Sequence, residues 1–159
     1  RVIVDVGREY GELTGREYGL VEPYRLDDAQ VAIVAMGSTC GTAKVAADRV
    51  REQGIRAGVL RVRSFRPFPG PEIAEVVDAI GSVAVMDRSI SYGLQGGPLF
   101  NEIRSFAGGD ACGHLINYVY GLGGRDINAS DLERIFVDLE DMRQSGDTGE
   151  VYRYAGLRE

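Results

Sequence analysis

Cysteine and histidine are scarce in this chain of 159 residues, which contains two cysteines and one histidine. Cys40 and Cys112 lie far apart, and neither has another cysteine or histidine at the spacing of metal ligands. This pattern excludes a zinc ribbon, and also an iron–sulfur cluster held by this chain alone. A disulfide between the two thiols stays open, although two thiols in an acidic, glycine-rich chain favour a reduced cytoplasmic protein.

The chain also lacks an excess of positive charge and a long apolar run. Its 18 Lys and Arg residues are outnumbered by 24 Asp and Glu residues, for a net charge of −6. Nucleic acid is therefore not an expected partner, because its phosphates require a basic surface. No run approaches the ~18–20 apolar residues that span a membrane, and no signal peptide is recognisable, so we expect no membrane partner. The chain begins at Arg1 without Met, and we expect it to be a piece of a longer polypeptide.

Catalytic residues are not recognisable in the sequence. His114 has no Ser, Cys or carboxylate beside it that would form a triad, and its place at the start of a predicted strand favours a solvated or capping role. Neither cysteine has a basic neighbour to activate it, so both are expected to be small core residues. No pair of tuned carboxylates is evident. We therefore predict no catalytic residue and no metal ligand, and expect this segment alone to be inactive.

Strands alternate with helices along the chain, which predicts a three-layer α/β/α sandwich around a mostly parallel sheet. The apolar run Gln30–Met36 is typical of a strand buried on both faces. Pro23 places its own strand at an edge of the sheet. The expected strands are Leu20–Arg25, Gln30–Met36, Ile55–Arg63, Ser82–Met86 and His114–Tyr120. The expected helices are one ending near Gly15, then Thr42–Gln53, Pro71–Ile80, Pro98–Phe106 and a last one capped by Ser130 with Glu133.

The turn after the second strand is the first candidate binding element. Gly37, Ser38, Thr39 and Gly41 lead directly into a helix N-terminus, where a phosphate group could be held. The turn lacks the Lys of a nucleoside-triphosphate loop and the spaced glycines of a dinucleotide fingerprint. The alternative interpretation is a tight strand-to-helix turn with hydroxyl capping.

Three arginines form the second candidate. Arg66, Arg88 and Arg125 each follow a predicted strand, and ligands of open α/β sheets bind beyond the carboxyl ends of the strands. Converging guanidinium groups would hold a carboxylate or a phosphate. The alternative is that they pair with neighbours such as Asp87 and Asp126 or with acids of another subunit, which the enrichment of arginine at interfaces favours. Arg61 and Arg63 share one face of their strand, which likewise suits a contact surface.

Six motifs occur in one order along nearly the whole chain. They are Gly15–Tyr24 (GREYGLVEPY), Val34–Thr39 (VAMGST), Phe65–Pro69 (FRPFP), Asp87–Ser89 (DRS), Gly97–Leu99 (GPL) and Gly121–Asp126 (GLGGRD). In this order they make residues 8–140 resemble the C-terminal domain of the alpha chain of pyruvate:ferredoxin oxidoreductase.

The resemblance implies a fold like the transketolase C-terminal domain, with a five-stranded mixed sheet and an antiparallel edge strand. We therefore expect residues 1–15 to be a helix or linker from a missing upstream domain and 16–143 to form the α/β domain. Residues 144–159 are polar and glycine-rich, and we expect them to be a loosely held tail. The implied enzyme decarboxylates a 2-oxo acid on thiamine diphosphate with magnesium, passes electrons through iron–sulfur clusters to ferredoxin, and transfers the acyl group to coenzyme A. None of these cofactors is expected on this segment, and no catalytic residue of the family maps onto it.

Two functions follow as hypotheses. The first is an assembly domain of a cytoplasmic 2-oxoacid:ferredoxin oxidoreductase, with other domains and subunits as its partners and ferredoxin reached through the complex. The motifs at Phe65–Pro69 and Gly121–Asp126 favour pyruvate over branched-chain 2-oxo acids, 2-oxoglutarate or oxalate. The second is an anion-binding or regulatory module that holds a phosphate ligand such as coenzyme A at the carboxyl ends of the strands.

Overall fold

Six strands form one sheet in the computed structural model, which describes residues 2–108 and 114–157. The order across the sheet is β1-β3-β2-β4-β5-β6; β1 is antiparallel to β3, and all other neighbours are parallel. The strands are β1 (Val21–Tyr24), β2 (Val31–Met36), β3 (Ala57–Val62), β4 (Ser82–Asp87), β5 (Leu115–Tyr120) and β6 (Tyr152–Ala155).

Helices cover both faces of the sheet, so the predicted α/β/α class is confirmed. The helices are α1 (Val2–Thr14), α2 (Thr39–Glu52), α3 (Gly70–Ala79), α4 (Pro98–Phe106) and α5 (Ala129–Ser145). One core joins α2 and α5 to the sheet, and a second core joins α3 and α4 to its other face. Within the described ranges, no helix combines the length and apolar character needed to cross a membrane.

Strand β2 lies at the centre of the sheet because its sequence suits burial on both faces. Val31, Ile33 and Ala35 enter the core beneath α2 and α5. Ala32 and Val34 enter the core beneath α3 and α4. All five are fully buried, as expected for a parallel strand covered by helices on both sides.

The prediction of five strands is wrong by one, because β6 lies in the segment that the sequence analysis treated as a loosely held tail. Tyr152 packs edge-on against Phe100, with 5.6 Å between ring centroids. Arg153 donates from Nη1 to the Tyr118 hydroxyl at 3.2 Å, and β6 pairs with β5 along its length. A strand of four residues with Arg at its second position has too short an alternation to be recognised in a sequence, whereas these long-range contacts fix it.

The predicted cap of the last helix is also wrong. The helix begins at Ala129, and Asn128 is its N-cap residue in place of Ser130. The Asn128 side chain accepts from the Asp131 backbone N–H, and the Asp131 carboxylate accepts from the Asn128 backbone N–H, each at 3.0 Å. The capping box therefore uses Asn128 and Asp131, two residues earlier than predicted, because Asn is at least as good an N-cap residue as Ser.

Glu22 gathers three cations at the β1 edge. Lys44 and Arg63 each donate to its carboxylate, and Arg61 Nη1 lies 3.6 Å from it. Arg61 and Arg63, predicted to form a contact surface, are thus held by an acid of the neighbouring strand. The hydrogen bond from the Lys44 ammonium, together with the charge and hydrogen bond of Arg63, holds the pKa of Glu22 below its ordinary value of 4.5, although burial opposes the shift.

Replacement of Glu22 by Gln is expected to reduce the free energy of unfolding by about 1–2 kcal/mol at pH 7. A carboxyl whose pKa is lowered on folding contributes stability above its unfolded pKa and loses it as the pH falls through the folded value. The stabilities of the two proteins in urea unfolding experiments should therefore approach each other as the pH falls below 4.5. Glu75→Gln, on the exposed face of α3, is the matched control and should leave the free energy of unfolding unchanged at both neutral and low pH. A constant difference between pH 7 and pH 3 would contradict the ion-pair explanation.

A candidate binding cleft at the carboxyl ends of the strands

The sheet has a topological switch point between β2 and β4. From β2 the chain passes through α2 to β3 on one side, whereas β4 lies on the other side and leads outward to β5. The loops that follow β2 and β4 therefore diverge, and a crevice opens between them beyond the strand ends. In open α/β sheets this is where ligands bind.

The turn after β2 supplies one wall of this crevice. Gly37 has a φ of +71°, a conformation that favours glycine, and it lets α2 start directly behind the strand. The expected hydroxyl cap is absent here, because Ser38 is the N-cap residue and its side chain makes no capping hydrogen bond. The Thr39 hydroxyl instead forms a hydrogen bond of 2.7 Å with the Tyr120 hydroxyl at the end of β5.

Two of the three predicted arginines meet at the opposite wall. Arg88 and Arg125 line a cleft of about 210 Å³ together with residues of the α2 turn and the end of β5. The Arg88 guanidinium lies 5.7 Å from the centre of the Tyr120 ring. It also packs closely on Gly121, whose φ of +71° favours glycine. The full lining is Ser38, Thr39, Thr42, Arg88, Tyr120, Arg125, Asp126 and Ile127.

Arg66, the third arginine, is not among the residues that line the cleft. It donates from Nη2 to Glu102 Oε1 at 2.5 Å and from Nη1 to the Phe65 carbonyl at 2.7 Å. Its guanidinium lies 4.3 Å from the centre of the Phe65 ring. Arg66 therefore ties the loop after β3 to α4, and the predicted convergence of three arginines reduces to a convergence of two.

Asp87, expected as a partner for the arginines, is buried and serves the backbone instead. Its carboxylate accepts from the N–H groups of Leu99 at 2.9 Å and Phe100 at 3.1 Å, in the first turn of α4. It also accepts from the Asn117 side-chain amide at 3.0 Å. Burial raises the pKa of Asp87 above its ordinary value, although these hydrogen bonds oppose the shift. Asp87 thus holds α4 and the loop between β4 and α4 in place.

Two residues of this region were missed in the sequence analysis, Asn117 and Tyr120. Asn117 is fully buried in β5 and also accepts from the Gly97 N–H at 2.8 Å. A lone amide within the apolar run Leu115–Tyr120 is a signal that could have been used, because buried polar groups need specific partners. Burial raises the pKa of the Tyr120 phenol, so Tyr120 stays protonated and can donate a hydrogen bond at neutral pH.

The remaining candidates carry no recognisable chemistry. Cys40 is fully buried in α2, as predicted for a core residue, and burial raises its thiol pKa. Cys112 lies outside the described residues. His114 is partly buried directly before β5. Across residues 2–108 and 114–157, no three His, Cys, Asp or Glu side chains are placed to hold a metal ion.

The fold of this chain also occurs in a solved structure. The fold is similar to part of the 2-oxoglutarate:ferredoxin oxidoreductase from Magnetococcus marinus with 2-oxoglutarate, coenzyme A and succinyl-CoA bound. The match has a TM-score of 0.60 and 17% identity and covers 83% of this chain and 21% of the other. This likeness shows that the chain shares its fold with that part of the other protein.

Sequence comparison is more specific. Residues 29–132 match the model of the pyruvate:ferredoxin oxidoreductase core domain II, and the chain belongs to this family. It is 39% identical to the pyruvate synthase subunit PorA of Thermotoga maritima over 100% of the chain, and 41% identical to the ketoisovalerate oxidoreductase subunit VorA of Pyrococcus abyssi over 92%. The chain spans 40% and 37% of the length of these two relatives. The resemblance inferred from the six motifs is confirmed.

Proposed function

We propose that this chain is a domain of a thiamine-diphosphate-dependent 2-oxoacid:ferredoxin oxidoreductase, and that its role is to assemble and support the catalytic parts of that enzyme. The observation that carries the proposal is the similarity to pyruvate synthase subunit PorA, which runs through all of this chain but through only 40% of the relative. A domain conserved in full within a larger subunit is expected to work together with the rest of it.

Exposed apolar side chains on α1 support an assembly role. Val2 is 74% exposed and Leu13 is 86% exposed. With Tyr18 and the end of β3, α1 also borders an apolar cleft of about 600 Å³. Isolated exposed apolar residues are ordinary on a protein surface, but a contiguous set is typical of a surface that is covered in an assembly.

A second set of exposed apolar side chains belongs to the loop between β4 and α4. Ile90 and Leu94 are more than half exposed, and Tyr92 is fully exposed, in the loop between β4 and α4. The loop is nevertheless ordered, because the Ser91 N–H donates to the Gly96 carbonyl at 2.8 Å and the Asn101 amide donates to the Ser91 hydroxyl at 3.1 Å. A fixed loop that presents three large apolar side chains suits a protein contact at low entropic cost.

The cofactors of such an enzyme would bind outside this chain. The described residues do not offer a set of ligands for magnesium or for an iron–sulfur cluster. As the resemblance implies, we place thiamine diphosphate, magnesium and the clusters on other domains or subunits of the enzyme. Ferredoxin would be reached through the complex, in the cytoplasm.

Turnover measurements test the proposal. The purified chain, supplied with pyruvate, thiamine diphosphate, magnesium, coenzyme A and ferredoxin, should not reduce ferredoxin. The assembled oxidoreductase that contains the same chain should do so, with pyruvate preferred over 3-methyl-2-oxobutanoate and 2-oxoglutarate. Turnover by the chain alone would contradict the assembly role. A preference for another 2-oxo acid would contradict the proposal that pyruvate is the substrate.

A paired substitution tests the apolar loop directly. Tyr92→Ser together with Leu94→Ser should weaken association of the assembled enzyme, as seen by size-exclusion chromatography with light scattering, because it removes exposed apolar contacts. The thermal unfolding of the chain itself should change little, since neither side chain is buried in the fold. Glu75→Ser on α3 is the control. An unchanged assembly would show that this loop is not a subunit contact.

A further inference from the structure

The cleft at the switch point combines donors from three separate segments of the chain. Ser38 lies in the turn after β2 and Thr42 in the first turn of α2, Arg88 follows β4, and Arg125 follows β5. The segments are far apart in sequence and meet only because β2, β4 and β5 are neighbours in the sheet. Their meeting point coincides with the position where the strand order reverses, which is the general ligand position of open α/β sheets.

Both arginines have unused donors. Arg88 and Arg125 form no ion pair with any described residue, whereas Arg51, Arg63 and Arg66 are each paired with an acid. In the same described part of the chain, the hydroxyls of Ser38 and Thr42 make no hydrogen bond to a protein group. Both arginines and Ser38 are exposed, so their donors are accessible to an anion from solution.

The electrostatics of the cleft favour that anion despite nearby acids. Asp126 lies in the lining, and Asp87 lies buried behind Arg88. Asp87 directs its two carboxylate oxygens toward the α4 N-terminus and Asn117, so its lone pairs are engaged away from the cleft. The start of α2 adds the partial positive charge of a helix N-terminus, and no acidic residue in its first turn offsets it.

We propose that this cleft binds a phosphate monoester group, held between the guanidinium groups of Arg88 and Arg125 and the hydroxyls of Ser38 and Thr42. This site goes beyond the assembly role and does not depend on it. A volume of about 210 Å³ accommodates a phosphate group with its first ester substituent but not a nucleotide base as well, so the remainder of a larger ligand would lie outside the cleft. A tetrahedral dianion has enough oxygens for donors that approach from three directions, whereas a planar carboxylate has two.

Titration of the chain with inorganic phosphate, followed by backbone amide NMR, tests the proposal. Saturable shifts are expected at Ser38, Thr39 and Arg88, with an affinity that falls as the salt concentration rises. Arg88→Gln and Arg125→Gln should each weaken the affinity by about tenfold, since each removes a charged hydrogen bond. Arg16→Gln is the matched control, because Arg16 is exposed and does not line the cleft. Unfolding curves of the variants should show that the fold is retained.

The comparison ligands separate the possible sources of the anion. Tighter binding of adenosine 3′-phosphate than of inorganic phosphate would support a nucleotide ester as the ligand, and equal binding would support phosphate itself. Glutamate that binds as tightly as phosphate would overturn the proposal in favour of a partner carboxylate. Shifts that do not saturate, or that are equal in wild type and both cleft variants, would overturn it as well.

Discussion

Asp87→Ala is expected to lower the free energy of unfolding by about 3 kcal/mol or more, because it removes an acceptor on which three buried donors depend. The backbone N–H groups of Leu99 and Phe100 and the side-chain amide of Asn117 would lose this acceptor. Each unsatisfied buried group costs about 1–3 kcal/mol, and partial relaxation or entry of water recovers some of the sum. Urea unfolding at pH 7 measures the loss.

Two further variants show whether the hydrogen bonds or the charge are responsible. Asp126→Ala, exposed at the same end of the sheet, should change stability by less than about 0.5 kcal/mol. Asp87→Asn keeps one oxygen acceptor and should therefore lose less than Asp87→Ala. A loss for Asp126→Ala as large as that for Asp87→Ala would contradict the role of the buried carboxylate.

The difference in the free energy of unfolding between wild type and Asp87→Asn should depend on pH in a predictable direction. Burial raises the pKa of Asp87 on folding from its ordinary value of 3.8, so the folded state binds this proton more tightly than the unfolded state. The contribution of Asp87 is therefore fully present below pH 3.8 and falls as the pH rises through the folded pKa. The advantage of wild type over Asp87→Asn should shrink with rising pH, opposite to the trend expected for Glu22.

Phe136→Ala should have the other large effect, a loss of about 3–5 kcal/mol in the free energy of unfolding. Phe136 is completely buried in the core between α5, α2 and the sheet, so its removal leaves a cavity that the surrounding side chains fill only in part. Val137, the next residue, is 40% exposed, and Val137→Ala should cost less than about 1 kcal/mol. Urea unfolding midpoints measure the losses of both variants, provided that the dependence of the free energy of unfolding on urea concentration is unchanged.

A small loss for Phe136→Ala would show that α5 contributes little to the core. The Phe136 substitution could also change the shape of the cleft. Asp126 and Ile127 line the cleft just before α5, and their position depends on how α5 packs against the sheet. The Phe136 variant is for this reason unsuitable for testing anion binding, whereas Arg88→Gln and Arg125→Gln leave both cores intact.

The elements recognised in the sequence are those whose patterns are local. The run Val31–Met36 is apolar on both faces and predicts a central strand without further information. Pro23 predicts an edge strand, and β1 is one. Pro98 predicts the start of α4, which begins there. In each case the physical cause, either burial or the fixed φ of proline, acts within a few residues.

The elements that were missed or misplaced depend on distant partners. β6 is a strand because Tyr152 packs against Phe100 and Arg153 reaches Tyr118, and neither contact is visible in four residues. Asn128, and not Ser130, caps α5 because its side chain and that of Asp131 each accept a hydrogen bond from the other residue's backbone N–H. Asp87 follows an apolar strand, where an arginine partner was a reasonable expectation, but the packing of α4 turned its carboxylate inward.

The sequence by itself determined the α/β class, the antiparallel edge, the family resemblance and the segments that carry the candidate anion-binding residues, because each of these is encoded in local patterns or in the order of short motifs. Only the tertiary structure decided that Arg88 and Arg125 line one cleft while Arg66 is paired with Glu102. Strand order brings residues together that sequence spacing leaves unrelated, and the neighbouring positions of β2, β4 and β5 created the shared cleft.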